Sequence, residues 1–499
     1  MDLQFQKTAI PCLRTVISEV QTQEQTQEVR LSDGMPQIGS VIGAWGQLLL
    51  RGKEWRSGSI AVTGGITAWV LYAPEDGSAP RCLQTWIPFQ LKWDLPDTHR
   101  EGSICVQPLL LGVDARPTSA RKVMVRADMS ILAEAMVEDE ATVCSSDDSQ
   151  PDVQLLKRTY PMLLPREAGE KAFLIDEILT QPANQPAPEK LLRYSAQPVI
   201  LEQKVLGNKV IFRGAANLHI LYMDADEQLH TWDQELPFSQ YAQLEGEYDA
   251  DPEPRIIPTL TALELEKGED GRYGCKVGIT GQYLICAGTR VELTQDAYSN
   301  TRKVTANTQT LTLPAVLDTQ SELRHPEAKP ELDGRVVDAE FSPEHPRFYR
   351  EGDSVIGELA GRFRLLGYDS AGLLRSAGKR WEETIRIPAD STVKLQGLVS
   401  PNGKVSCTRG PEGTALSADL PVTVTGVSTE AIPMVASLEL GDPLPLDPQR
   451  PSLILQRAGE QTLWELAKAA GSTVEAIRKA NALEAEPQPK QMLLIPITQ

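Results

Sequence analysis

The stretch at 210–222, VIFRGAANLHILY, places an apolar residue or a glycine at every second position: Val210, Phe212, Gly214, Ala216, Leu218, Ile220 and Tyr222. Successive side chains of an extended chain point to opposite faces, so this spacing buries one face of a strand. Arg213, Asn217 and His219 then face outward, and His219 reads as an exposed surface histidine. The same pattern stands 150 residues earlier, at 60–72, IAVTGGITAWVLY, through Ile60, Val62, Gly64, Ile66, Ala68, Val70 and Tyr72. Both copies carry a glycine at the fifth position and end in Leu-Tyr, with no gap between them. Thirteen residues is long for a strand, so the glycine marks a bend or bulge.

The likeness extends in both directions. Pro36 and Pro186 stand at the same shift, ahead of SVIG and EKLL, which read as short helical turns. Downstream lie Ile87-Pro88-Phe89 and Leu236-Pro237-Phe238, then strand-like runs at 123–136 and 277–291. The second copy closes on Asp296-Ala297-Tyr298-Ser299, and the first has Ser146-Asp147-Asp148-Ser149 in that region. A weaker third copy at 355–367 keeps the buried face but has Leu359 in place of the bend glycine and Gly367 in place of the tyrosine. Its later strands include 422–427. Segments rich in proline and charge at 166–171, 324–334 and 441–451 read as linkers.

After the last of these the pattern changes period. Leu463, Leu466, Ala467 and Ala470 share one helical face, Thr462 and Glu465 form a capping box, and Gly471 supplies the stop. Ser472 and Glu475 repeat the box for a second helix carrying Val474 and Ile477 inward. Strand-like runs at 453–455 and 492–495 flank the pair, giving strand, helix, helix, strand. The segment resembles a LysM domain through Gly459, Thr462-Leu463, Leu466-Ala467, Asn481 and the closing Leu494-Ile495-Pro496. It departs from that pattern by an inserted glutamine and by Lys490, which stands where the family has a glycine before its last strand.

Three related mostly-β units followed by a LysM resemble the SipL-type spore coat assembly proteins, built from SPOCS domains with a C-terminal LysM. The KVIFRG and LHILY strand, the Pro-Phe after it and the Asp-Ala-Tyr-Ser end carry that resemblance. The expected fold is α+β, mainly β, with SPOCS-like units at 1–150, 151–323 (with its preceding linker) and 324–446, the last degenerate, and a small βααβ LysM at 447–499. The family implies a protein of the mother-cell cytoplasm that gathers at the forespore surface or spore coat, where its LysM binds the SpoIVA-type ATPase of the coat basement layer.

Composition narrows the function classes. Against 49 basic residues stand 68 acidic ones, a net charge of −19 with a pI near 4.9. Nucleic-acid phosphates need a basic surface, so no nucleic-acid partner is expected. No apolar run reaches the ~20 residues of a membrane helix, and the polar start lacks the order of a signal peptide. The seven cysteines are scattered without a Cys-x-x-Cys pair, as in a reducing compartment. The five histidines show no metal-ligand spacing; His325 and His345 each precede proline, which suggests turns. The approximate phosphate loops at 372–379 and 397–404 have the wrong spacing and lack the following Ser or Thr. No Gly-x-Ser-x-Gly elbow exists. No catalytic residue, metal or cofactor is assigned, and a non-enzymatic scaffold is the leading expectation.

Candidate binding residues all fall in the C-terminal segment. Trp464, Lys468, Arg478 and Lys479 are the candidate partner surface. Trp464 reads either as a half-buried cover for its own module or as a partly exposed anchor. Gly459, Glu460, Gln461, Thr462, Asn481, Ala482 and Leu483 lie in the two loops where a LysM would read a ligand. A peptidoglycan-binding protein of cortex or wall is the alternative function. Those loops hold no aromatic to stack on a sugar, and they carry Glu460, Glu484 and Glu486.

Overall fold

The computed structural model describes residues 2–498, apart from 4, 96–100, 146–151, 249–251, 269–270, 333, 353, 389–392, 411–412, 429–430, 446–448 and 489. His99 and Ser146-Asp147-Asp148-Ser149 therefore lie outside the described residues. The fold is mainly β, with two α-helices, both near the C-terminus, among the described residues. Among the described residues no helix is long and apolar enough to cross a membrane.

One strand order recurs along the chain. In the first unit Ser59–Pro74 is the centre of a three-stranded antiparallel sheet between Ile38–Arg56 and Arg81–Asp94. A second sheet places Lys122–Ser145 between Gln6–Arg30 and Ser103–Ser119. The inner faces of the two sheets meet in one core that includes Ile60, Val62, Ile66, Val125 and Met129. The second unit repeats this order. Lys209–Met223 lies between Lys190–Leu206 and Leu229–Gln243, and Tyr273–Ser299 between Val153–Leu179 and Glu253–Lys267. The third unit keeps the order in broken pieces. Ser354–Tyr368 is central in one sheet, while Leu420–Ser428 pairs on either side with Val393–Val399 and with Ala315–Arg324, a strand that begins before the expected start of the unit at 324.

The alternating strand folds as its spacing predicts. Phe212, Leu218 and Ile220 are buried and Arg213 is exposed. The glycines do mark bulges: the pairing slips by one residue opposite Gly64 and again opposite Gly214. A Cβ on Gly214 would stand 2.0 Å from the Val199 carbonyl oxygen and 2.8 Å from the Phe238 ring. On Gly64 the neighbours are the Leu49 oxygen and Phe89. Each glycine is thus the cross-strand partner of the phenylalanine in the Pro-Phe pair, whose ring covers it. The terminal tyrosines explain the two upstream prolines. The Tyr72 hydroxyl donates to the Pro36 carbonyl at 3.1 Å, and that of Tyr222 to Pro186 at 3.0 Å.

Two local expectations are corrected. SVIG and most of EKLL lie in strands, not helical turns, because Ile38–Arg56 and Lys190–Leu206 continue the pairing with their central strands. The supposed linker at 166–171 is also strand, within the 27-residue Val153–Leu179. Its charges are consumed locally: Glu167 accepts from the backbone of Glu245 and Gly246 and from the Tyr248 hydroxyl. The 324–334 segment holds a two-residue strand, Glu327–Ala328, paired with Gly413–Ala418.

The three units meet around buried polar groups. Arg193 of the second unit pairs with Asp338 and Glu340 of the third, and its guanidinium lies 5.1 Å from the Trp45 ring centre of the first. His219 donates from Nε2 to Asp338 at 2.9 Å and from Nδ1 to Asp233. It is therefore half-buried in a junction, not a plain surface histidine, since its outward face meets the third unit. His345 sits in the gap between Arg335–Pro343 and Arg347–Glu351. It reaches into the first unit, where Nε2 donates to the Gln107 carbonyl at 3.1 Å and Nδ1 accepts from Ser130 at 2.8 Å. Between the first and second units, buried Gln282 exchanges two hydrogen bonds with the Val106 backbone. Beyond the sandwiches, the ends of the long strands pack together through Ile10, Val143, Leu164, Val291, Leu311 and Met434.

Gly214→Ala should cost ~1–3 kcal/mol in a urea melt, because backbone must move to admit the methyl. Gly274→Ala is the control: its nearest neighbour is 4.0 Å away, and the change should stay within ~0.5 kcal/mol. Leu218→Ala should cost ~2–5 kcal/mol. His219→Ala should cost ~1–3 kcal/mol by stripping buried Asp338 of a partner.

The two junction histidines set opposite pH limbs. Burial disfavours the His219 imidazolium, but the charge of Asp338 and the hydrogen bonds to Asp233 and Asp338 outweigh it and lift the pKa from 6.5 to about 9. Its contribution is complete below 6.5 and is lost as pH rises through about 9. Burial lowers His345 to about 4, with the Gln107 carbonyl opposing. That contribution is complete above 6.5 and is lost as pH falls through about 4. Melts across pH should show a maximum near pH 6.5, where the two limbs meet. His219→Asn should flatten the alkaline limb and His345→Gln the acid one.

Candidate functional site

The C-terminal module is built from Leu453–Arg457, helix α1 at Leu463–Ala470, helix α2 at Val474–Asn481, and Met492–Pro496. The two strands pair antiparallel and the helices pack on one side of them. The core is Leu463, Leu466, Ala467, Ile477, Leu493 and Ile495. Thr462 and Glu465 form the expected capping box, and Gly471 ends α1 in the left-handed conformation. The second cap differs from expectation. Thr473, not Ser472, accepts from the Ala476 N–H. Ser472 is buried, and its hydroxyl instead donates to the Pro496 carbonyl.

The candidate partner residues do not form one free surface. The Trp464 indole donates to Asp296 Oδ2 at 2.8 Å and meets the Tyr298 ring edge-on, with centroids 4.8 Å apart. Lys468 bonds both Asp296 oxygens, at 2.8 and 2.7 Å. The Tyr298 hydroxyl donates to the Ser472 carbonyl at 2.9 Å, and Asn300 donates to Thr498 at 2.7 Å. Burial raises the Asp296 pKa, but the hydrogen bonds from Lys468 and Trp464 outweigh it and hold the carboxyl below its ordinary value. Trp464 thus covers its own core and also anchors the module, and what it anchors to is the Asp-Ala-Tyr-Ser end of the second unit. Both halves of this contact stand out in the sequence, but periodicity carries no signal between positions 168 residues apart.

The other candidates lie elsewhere. Arg478 pairs with Glu486 at 3.8 Å, and Lys479 is exposed. Gly459, Glu460 and Gln461 are exposed in the loop before the Thr462 cap. The two candidate ligand loops adjoin, since Glu486 accepts from the Leu463 N–H at 2.9 Å. Asn481 ties α2 to the last strand: it donates to the Ile477 and Leu494 carbonyls and accepts from the Leu494 N–H. Ala482 caps α2 in the left-handed conformation, and Leu483 packs half-buried against the core. Among the described residues no cluster of His, Cys, Asp or Glu could hold a metal.

A protein of tandem β-sandwich units with a docked two-helix module is therefore the class defined by the fold. Residues 188–260 match the family model described as SipL, SPOCS domain. The match spans the sheet centred on Lys209–Met223 and enters the next strand, Glu253–Lys267. It supports a SipL-like, sporulation-related protein. No curated protein and no solved structure gives a significant match.

Lys490 has φ +75°, a left-handed conformation that strains an L side chain. It occupies the position where the LysM pattern has glycine. Lys490→Gly should raise stability by ~1 kcal/mol, read as a later transition in denaturant.

Proposed function

We propose that the chain is a non-enzymatic scaffold or adaptor in bacterial spore coat assembly. Its SPOCS-like units form a rigid body, and its LysM-like module docks it onto a coat morphogenetic protein of the SpoIVA type at the forespore surface, on the mother-cell side. The observation that carries this reading is the SPOCS-domain match at 188–260. Its support from geometry is the way the module is held. Asp296, Tyr298 and Asn300 clamp it to the second unit, so a partner bound to the module is placed at a fixed position on the sandwich body.

The alternative, a cortex or wall protein that binds peptidoglycan, finds little support in the module's two loops. Gly459, Glu460, Gln461, Ala482 and Glu484 offer exposed small and acidic groups and no ring for a sugar to stack on.

The test is direct binding of the immobilised full chain to a purified SpoIVA-type ATPase and, separately, to peptidoglycan oligomers. The ATPase should bind the full chain and not a chain ending at residue 446, and the oligomers should neither bind nor compete. Capture of the oligomers without capture of the ATPase would replace the scaffold with the wall-binding protein.

A further inference from the structure

The module's two-stranded sheet is apolar on both faces. With Leu453 opposite Pro496, Leu455 opposite Leu494 and Arg457 opposite Met492, those six side chains share the outer face. The inner face carries Ile454, Leu493 and Ile495 into the core. A small sheet with one covered side alternates apolar and polar residues. Here the outer side breaks that rule: Leu453 is 50% exposed, Leu455 62%, Met492 52% and Leu494 39%.

Among the described residues no hydrogen bond, ion pair or ring contact joins the body to this face. The module contacts the second unit through Trp464, Lys468 and Ser472 on its helical side and through Thr498 at its end. The outer face of the sheet points away from both helices. Trp464 and Lys468 are thus engaged within the chain, while the sheet face is exposed.

Charge selects what covers it. Arg457 closes one end of the apolar row, with Nε donating to the Lys490 carbonyl at 3.3 Å. Among the described residues its guanidinium meets no carboxylate. Beside it stands exposed Lys490. A second copy of the face fits poorly. Antiparallel stacking would bury Arg457 over Leu453 and Pro496 without a counter-charge, and parallel stacking would set guanidinium against guanidinium. A glycan fits no better, since the six residues include no aromatic ring.

We infer that the outer face of this sheet, Leu453, Leu455, Met492 and Leu494 with Arg457 at its end, binds a short protein segment that presents apolar side chains and a carboxylate at one end. Apolar burial supplies the attraction, and Arg457 fixes the direction in which the segment lies. The contact is small, which places it among weak, reversible interfaces. This deepens the scaffold reading and rests on it only for the biological role of the bound segment.

The test selects peptides from a random display library on the full-length chain and measures their binding by fluorescence polarisation. The recovered peptides should combine apolar residues with a terminal Asp or Glu. The double variant Leu455→Thr/Leu494→Thr keeps strand-forming side chains, and it should bind them about tenfold more weakly. Arg457→Gln should lose the preference for the acidic end. Circular dichroism confirms that each variant is folded. Equal binding by the double variant, recovery of no peptide, or a consensus without a carboxylate overturns the inference. So does a wild-type dimer in sedimentation that the double variant dissolves, which would make a second copy the occupant. Peptide binding by a chain that ignores the coat ATPase would keep this inference and remove the scaffold reading; ATPase capture by a chain that recovers no peptide would do the reverse.

Discussion

The three sandwiches meet around a buried ion pair. Arg193 and Asp338 are both almost wholly withdrawn from water, and neither could be so alone. Burial raises the Asp338 pKa, but Arg193 and His219 more than offset this and hold its carboxyl far below the ordinary range. The Trp45 face covers the guanidinium from the first unit, so three separate stretches of chain complete one site. Around it lie Leu71, Leu192, Leu221, Met223 and Leu366, an apolar cluster drawn from the same three units. Separating the second unit from the third would expose the cluster and strand a charge, and removing the first would uncover the guanidinium.

Within each unit the constraint is steric. A long strand must curve to close a sandwich, and the curve is made where glycine lets a bulged neighbour approach. The glycine leaves a gap on its own face, and the phenylalanine across the strand fills it. The tyrosine at the strand end ties the preceding loop to the sheet through a proline carbonyl. These are three parts of one device, which is why they repeat together at 64, 89 and 72 and again at 214, 238 and 222. The third unit differs, with Gly357 lying under the Phe348 ring of the preceding strand. Leu359 fills the glycine's place, the neighbouring strand breaks, and the break carries His345 into the first unit. At Gly367 the missing tyrosine is replaced by Leu332, whose side chain would stand 2.6 Å from an added Cβ.

The module shows how a small fold divides its surfaces. Its helices hold the body through an indole, an ammonium and a backbone carbonyl, all set on the aspartate and tyrosine of one strand end. Its sheet is left with an apolar outer face and a basic end. The proposed adaptor role rests on that attachment and that face. The attachment turns the module from a tethered bead into part of the body.

What the sequence determined by itself was local. Period 2 decided which side of the 210–222 strand is buried. Period 3.6 with its caps fixed the two helices of the module. These signals are legible because each arises from neighbours a few residues apart. SVIG and the charged 166–171 stretch misled because short polar segments have no period of their own, and pairing with a long neighbour decided them. The role of His219 was beyond reach for the same reason. Its alternation placed it outward correctly, but only the packing of the third unit decided that outward meant against Asp338 rather than water. Trp464 likewise belonged on a helix shoulder by spacing alone, and the tertiary structure decided that Asp296 would meet it there. Backbone periodicity reports the face a side chain takes; it carries no information on what another part of the chain brings to that face.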